Sequence, residues 1–219
     1  MGNVKWEMNS IRLTQFPISH CPFEILAVTA MNTIYLMRHS LTEANEKRLY
    51  GGSTDSPLTE KGVAIAAGRR GVIPECDVYI TSGMRRANET LYHMTGKKPG
   101  LVLSGLREMD FGAFEMRAYD ELKDIPEYIR WIGDENGDIY CPGGESRSGF
   151  RARVLKAGER LLAMDADRAC VVCHGGAIVS LMEAWFPDIH RLFYEWQPGA
   201  CGGYKIIVQG GRPAGFEEV

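Results

Sequence analysis

From residue 33 onward, short apolar runs alternate with segments of helical period, and that alternation restricts the fold more than any other feature of the chain. The runs Thr33–Met37, Asp77–Ile80, Leu101–Leu103, Ala169–Cys173 and Gly203–Val208 have strand length and are rich in β-branched residues. Helices are predicted between them, over 60–72, 84–94, 146–164 and 177–185, with Thr59 as an N-cap and Gly96 as a stop. Strands separated by helices pair in parallel. The predicted fold class is therefore α/β, a three-layer α/β/α sandwich with a mostly parallel central sheet. Residues 113–145 form a mixed segment with helical pieces near 118–124 and 126–132, and the glycine-rich stretch after Gln209 reads as a loose tail.

The chain has 219 residues, which suits one domain of ordinary size. Residues 1–30 lack periodicity and are broken by Pro17 and Pro22. The apolar stretch before Met31 is too short for a signal peptide and abuts Glu24, so 1–30 reads as an appended extension and 31–219 as a single domain. A net charge of −3, with 24% charged residues, gives no reason to expect a nucleic-acid or membrane partner. Six scattered cysteines fit reduced thiols in the cytoplasm rather than a disulfide framework. Cys170 and Cys173 lie three apart on a strand and so point to opposite faces, which argues for core packing rather than a metal or redox pair.

Two of the predicted strands end in histidine: Met37-Arg38-His39-Ser40 and Cys173-His174-Gly175-Gly176. Ligands of open α/β sheets bind outside the carboxyl ends of the strands. Arginine beside one histidine and a double glycine beside the other suggest an anion site. A third strand ends at Thr81-Ser82 and leads to Arg85 and Arg86, of which Arg86 is read as pointing inward and Arg85 as facing solvent.

These motifs together resemble the histidine phosphatase superfamily, the phosphoglycerate-mutase-like branch. The resemblance rests on Arg38-His39 with Thr42 and Asn45, on residues 54–62 and 82–90, on Arg107-Glu108-Met109-Asp110-Phe111-Gly112, on Pro142-Gly143-Gly144-Glu145-Ser146 and on His174-Gly175-Gly176. It implies that His39 is the nucleophile and Glu108 the general acid and base. Arg38, Arg86 and His174 would hold the phosphoryl group, with Asn45 lining its pocket. Gly175 would contribute backbone N–H groups at a helix start. Ser40 stands where the family usually has glycine; serine there either offers its hydroxyl to the phosphate or crowds the pocket. No metal or other cofactor is expected.

The resemblance implies a small phosphorylated metabolite as substrate. Between residues 113 and 144 eight acids face three bases, which disfavours the second phosphate that a mutase must hold. A phosphatase is therefore the expected activity. The alternatives are a cofactor-dependent phosphoglycerate mutase and a phosphate-binding protein without turnover. Tyr119, Tyr128, Trp131 and Tyr140 read as packing residues before ligand platforms.

Overall fold

A computed structural model describes residues 31–219; the expectation of an appended extension over 1–30 and the reading of Cys21 lie outside the described residues. In chain order the elements are β1 (Thr33–Arg38), α1 (Glu43–Glu46), α2 (Glu60–Gly68), β2 (Val78–Thr81), α3 (Arg85–Thr95), β3 (Leu101–Val102), α4 (Tyr119–Leu122), α5 (Pro126–Ile132), α6 (Arg147–Leu162), β4 (Arg168–Cys173), α7 (Gly175–Trp185), α8 (Phe193–Trp196), β5 (Gly203–Gln209) and β6 (Arg212–Glu218). The six strands form one sheet in the order β3-β2-β4-β1-β5-β6. β1, β2, β3 and β4 pair in parallel, and β5 and β6 close one side antiparallel.

The layers follow from alternation along β1. Ile34 and Leu36 enter a core built with Phe150, Val154 and Leu161 of α6 and Ile178 and Leu181 of α7. Tyr35 and Met37 enter a second core with Ala66 of α2 and Ala87, Leu91 and Met94 of α3. One pair of helices therefore covers each face, as the period-two pattern of a strand buried on both sides requires. β4 repeats the rule. Cys170 lies in the second core and Cys173 in the first, so their thiols are on opposite faces. The five described cysteines are buried and free.

Local signals account for the helix ends. The Thr59 side chain accepts from the Gly62 amide at the start of α2, and the Ser146 side chain accepts from the Gly149 amide at the start of α6. Gly96 closes α3 in the left-handed conformation, φ 75°. No helix among the described residues is long and apolar enough to cross a membrane.

The predicted loose tail is corrected. Residues 212–218 are the edge strand β6, paired with β5 from Tyr204↔Glu218 to Gln209↔Arg212. Gly210 and Gly211, both at positive φ, make the hairpin turn between them. The glycines that suggested looseness are the turn. Phe216 then packs edge-on against Phe186, Trp196 and Tyr204, with ring centroids 4.8, 5.4 and 5.6 Å apart. Phe216→Ala should lower the stability by about 2 kcal/mol, below the full core value because the ring is only partly buried. The exposed Ala214→Ser should change it by less than about 0.5 kcal/mol. Urea midpoints check both, and equal midpoints would mean that β6 is not part of the cooperative fold.

Candidate active site

The carboxyl ends of β2, β4 and β1 lie side by side, because β4 returns between the two earlier strands. Their next residues are Ser82, His174 and His39. The His39 amide donates to the Cys173 carbonyl and the Ser82 amide to the Val172 carbonyl, at 2.9 and 3.3 Å. The sheet ladder thus carries both histidines to one place, with ring centroids 5.0 Å apart. Both are buried.

His39 Nδ1 lies 2.6 Å from the carbonyl oxygen of its neighbour Ser40. A carbonyl can only accept, so Nδ1 carries the proton and Nε2 keeps its lone pair. Burial pushes the His39 pKa down to about 3, and the Arg86 and Arg38 charges add to the push. His39 is therefore a neutral imidazole whose Nε2 is its unprotonated nitrogen.

His174 has the opposite tautomer. Arg86 Nε donates to its Nδ1 at 3.3 Å, and its Nε2 lies 2.8 Å from Ser82 Oγ. A guanidinium only donates, so Nδ1 accepts and Nε2–H donates to Ser82. Burial, followed by His39 and Arg86, holds His174 well below the usual histidine range. Both ring nitrogens are occupied, so holding a phosphoryl group would require one of these bonds to be exchanged.

Arg86 is 2% exposed and Arg85 faces solvent, as α3's register predicts. Arg86 Nη1 donates to the Thr54 carbonyl at 3.0 Å and Nη2 to the Gly52 carbonyl at 2.7 Å, with Asp55 Oδ1 at 3.5 Å. The loop that receives it is held by Glu115. One Glu115 carboxylate accepts the backbone amides of Gly52, Ser53, Thr54 and Phe111, at 3.1, 2.8, 3.2 and 3.0 Å. Arg38 Nη1 donates to the Pro198 carbonyl at 2.7 Å.

Glu108 sits at the N-terminus of α7. Its Oε2 accepts the Gly176 amide at 3.1 Å and its Oε1 the Met109 amide at 3.0 Å. The double glycine has two separate causes. A Cβ at Gly176 would lie 2.6 Å from Glu108 Oε1, and one at Gly175 would lie 2.3 Å from Gln197 Nε2. The loop before Glu108 is clamped from α6, where Arg153 forks onto Glu145 and also donates to the carbonyls of Gly105, Arg107 and Glu108.

Three of the residues expected at the phosphate have partners or neighbours within the protein. The Ser40 hydroxyl donates to the Gly62 carbonyl at 2.7 Å and its amide to Thr90 Oγ1 at 2.9 Å, so Ser40 ties β1 to α2 and α3. Its φ is not positive, so serine replaces glycine there without backbone strain. Asn45 Oδ1 accepts from the Thr42 amide and hydroxyl, both at 3.0 Å, and thereby caps α1. The helix-start amide with an acceptor belongs to Gly176, and it serves Glu108; Gly175 makes room for Gln197.

Sequence reasoning missed Glu115, Ser82 and Gln197. Glu115 was one acid among eight in the mixed segment, and only three-dimensional contact separates it from the exposed ones. Tyr128 and Trp131 of that segment are buried, and Tyr119 and Tyr140 are exposed. Among the described residues, no group of three or more His, Cys, Asp or Glu gathers as a metal site would require.

The two neutral histidines make stability depend on pH. Unfolded, each titrates near 6.5; folded, both stay neutral far below that value. As pH falls below about 6.5 the unfolded chain gains protons that the folded chain refuses, so stability falls. Each histidine contributes up to about 1.4 kcal/mol per pH unit. Urea melts at pH 7, 6 and 5 should show a slope that becomes shallower by about 1 kcal/mol per unit in His174→Asn. An unchanged slope would mean that His174 is protonated in the fold.

The model of the histidine phosphatase superfamily (branch 1) matches residues 34–214. Adenosylcobalamin/alpha-ribazole phosphatase of Salmonella typhimurium is 33% identical over 156 residues, covering 68% of this chain and 77% of that protein. A probable phosphoglycerate mutase, GpmB, of Salmonella choleraesuis is 33% identical over 201 residues, covering 82% and 93%. Among solved structures, phosphoglycerate mutase from Thermus thermophilus superposes with a TM-score of 0.65 at 27% identity, over 84% of this chain and 97% of that one. Alpha-ribazole phosphatase from Shigella flexneri shares the fold, with a TM-score of 0.74 at 24% identity over 83% and 93%. Strand-end histidines, guanidiniums and sheet order thus sit in a chain that belongs to the histidine phosphatase superfamily, branch 1.

Proposed function

We propose that the protein is a phosphatase that hydrolyses a small phosphomonoester through a phosphohistidine on His39. One observation carries this reading: a neutral, buried imidazole whose Nδ1–H is fixed on the Ser40 carbonyl, in a pocket with two guanidiniums. The Nε2 lone pair attacks phosphorus, forming the N–P bond as the bond to the leaving oxygen breaks. Positive charge appears on the ring, and the Ser40 carbonyl 2.6 Å from Nδ1 stabilises it. Arg38 and Arg86 stay charged throughout and offset the phosphoryl oxygens. Glu108 gives a proton to the leaving alkoxide. It then takes one from the water that attacks phosphorus, and the N–P bond breaks to release inorganic phosphate and restore His39.

The reaction requires a phosphorylated metabolite as its partner and no further group for its proton bookkeeping. The cysteine pattern supports a cytoplasmic setting. A mutase is the second reading, because relatives of both names match this chain to the same identity. It would need a cation for a second acidic group. Arg107 is the candidate, since it is exposed and its charge reaches Arg86. The acidic balance of 113–144 favours the phosphatase.

Rapid quenching with a phosphorus-labelled monoester, followed by peptide mapping, should find acid-labile, base-stable label on His39. His39→Asn should abolish it. Label on His174 would reverse the two roles. With labelled phosphoglycerate, label in free phosphate supports the phosphatase, and label in the isomeric phosphoglycerate supports the mutase.

A further inference from the structure

Residues 107–110 belong to no helix or strand, and their backbone is held instead by side chains of α6 and its lead-in. Arg153 Nη1 donates to the carbonyls of Arg107 and Gly105 at 2.7 and 3.0 Å, and Nη2 to the Glu108 carbonyl at 2.8 Å. The same guanidinium forks onto Glu145, Nε to Oε1 at 2.6 Å and Nη2 to Oε2 at 2.7 Å. These five hydrogen bonds use every donor that an arginine has. Glu145 grips the next residue from both sides. Its Oε2 accepts the Asp110 amide at 3.0 Å, and its own amide donates to the Asp110 carbonyl at 2.9 Å.

The same face of α6 also reaches the amide that the Glu108 carboxylate binds. Phe150 stands three residues before Arg153, and the guanidinium carbon lies 4.9 Å from the centre of its ring. A Cβ at Gly176 would lie 3.3 Å from Phe150 Cζ, so Phe150 packs against the residue whose amide donates to Glu108 Oε2 at 3.1 Å. The loop itself is pressed onto α6, where a Cβ at Gly105 would lie 2.9 Å from the Ala157 Cβ. One helix therefore references both ends of Glu108: its main chain through Arg153, and its carboxylate through Phe150 and Gly176.

We infer that Arg153, locked by Glu145, is a positioning residue for Glu108, aiming its carboxyl at the leaving oxygen and so governing proton transfer to the leaving group. The inference rests on the reading of Glu108 as the general acid. With its donors committed to Glu145 and three carbonyls, Arg153 has none left for a phosphoryl oxygen, so its effect on the reaction passes through the loop that it holds. Proton transfer tolerates little misplacement. The acid must come within about 2.6 to 3.2 Å of the oxygen it serves, and an error of about 1 Å can cost on the order of a hundredfold in rate. The charge of Arg153 also reaches His174, so the decisive variant keeps that charge and removes only the fork.

Arg153→Lys is that variant. Single-turnover phosphorylation of His39 is measured with ethyl phosphate, whose alkoxide needs a proton to leave, and with p-nitrophenyl phosphate, whose phenolate leaves without one. Arg153→Lys should slow the first roughly ten- to hundredfold and the second by less than about threefold. Glu145→Gln loosens the fork from the other side and should show the same preference with a smaller loss; it carries the comparison if Arg153→Lys does not fold. In a Glu108→Gln background, Arg153→Lys should slow the ethyl reaction by no more than about twofold further, because a residue that acts through Glu108 has nothing left to position. Equal losses for the two substrates, or a full loss added to that of Glu108→Gln, would overturn the inference and leave Arg153 a support of the fold alone. Glu108→Gln by itself reports on the acid role. If it slows both substrates equally, that reading fails and the inference falls with it; if it is selective and Arg153→Lys is not, the inference alone fails.

Discussion

Arg86 is a guanidinium buried at the carboxyl end of a sheet, and the rest of the site depends on how that charge is kept there. Burying an unpaired ion costs on the order of several kcal/mol, even after the protein relaxes around it. Backbone carbonyls of residues 51, 52 and 54 accept its donors, and the nearest carboxylate, Asp55, stands back at 3.5 Å. The charge is therefore solvated mainly by dipoles, with one long ion pair to Asp55. That arrangement leaves a positive field for an anion to enter, and it adds to the burial that keeps both histidines from taking protons. The field that suits the pocket to an anion thus also favours a neutral His39.

Dipoles serve only if they stay aimed, and distant elements do the aiming. Glu115, at the entry to the mixed segment, gathers the amides of residues 52–54, and the carbonyls of 51, 52 and 54 can then point at Arg86. Phe114, Tyr128 and Trp131 anchor the segment in the core, with Tyr50 packed on them. On the other side, Arg153, paired with Glu145, donates to the carbonyls of Gly105, Arg107 and Glu108 and so fixes where Glu108 begins. Glu115, which reads from sequence as one acid of the mixed segment, is thus a support for an arginine on a different element. Its loss would be felt as weaker anion binding before any change in chemistry.

Much of this was legible in the sequence, for identifiable reasons. His39 and His174 stood out because each follows an apolar run, and a parallel sheet puts ligands at such ends. Opposite faces for Cys170 and Cys173 follow from period two alone. The strand β6 was missed because its residues mix glycine, proline and charge, and what makes it a strand is the ladder to β5 and the contacts of Phe216. The Ser40 hydroxyl and the Asn45 side chain were expected at the phosphate by motif position, and the structure ties them also to the Gly62 carbonyl and to Thr42. Short polar side chains satisfy the nearest unpaired group first, and sequence does not show which group that is.

His39 is a neutral imidazole protonated at Nδ1, made so by its burial, by the charges of Arg86 and Arg38 and by the Ser40 carbonyl. Nitrogen-15 spectra of the histidine rings, assigned through His39→Asn, test it directly between pH 7 and 5. One protonated nitrogen, Nδ1, is expected, with an Nε2 shift that stays that of an unprotonated ring nitrogen throughout. An imidazolium signal for His39 within that range, or a proton on Nε2, would contradict it.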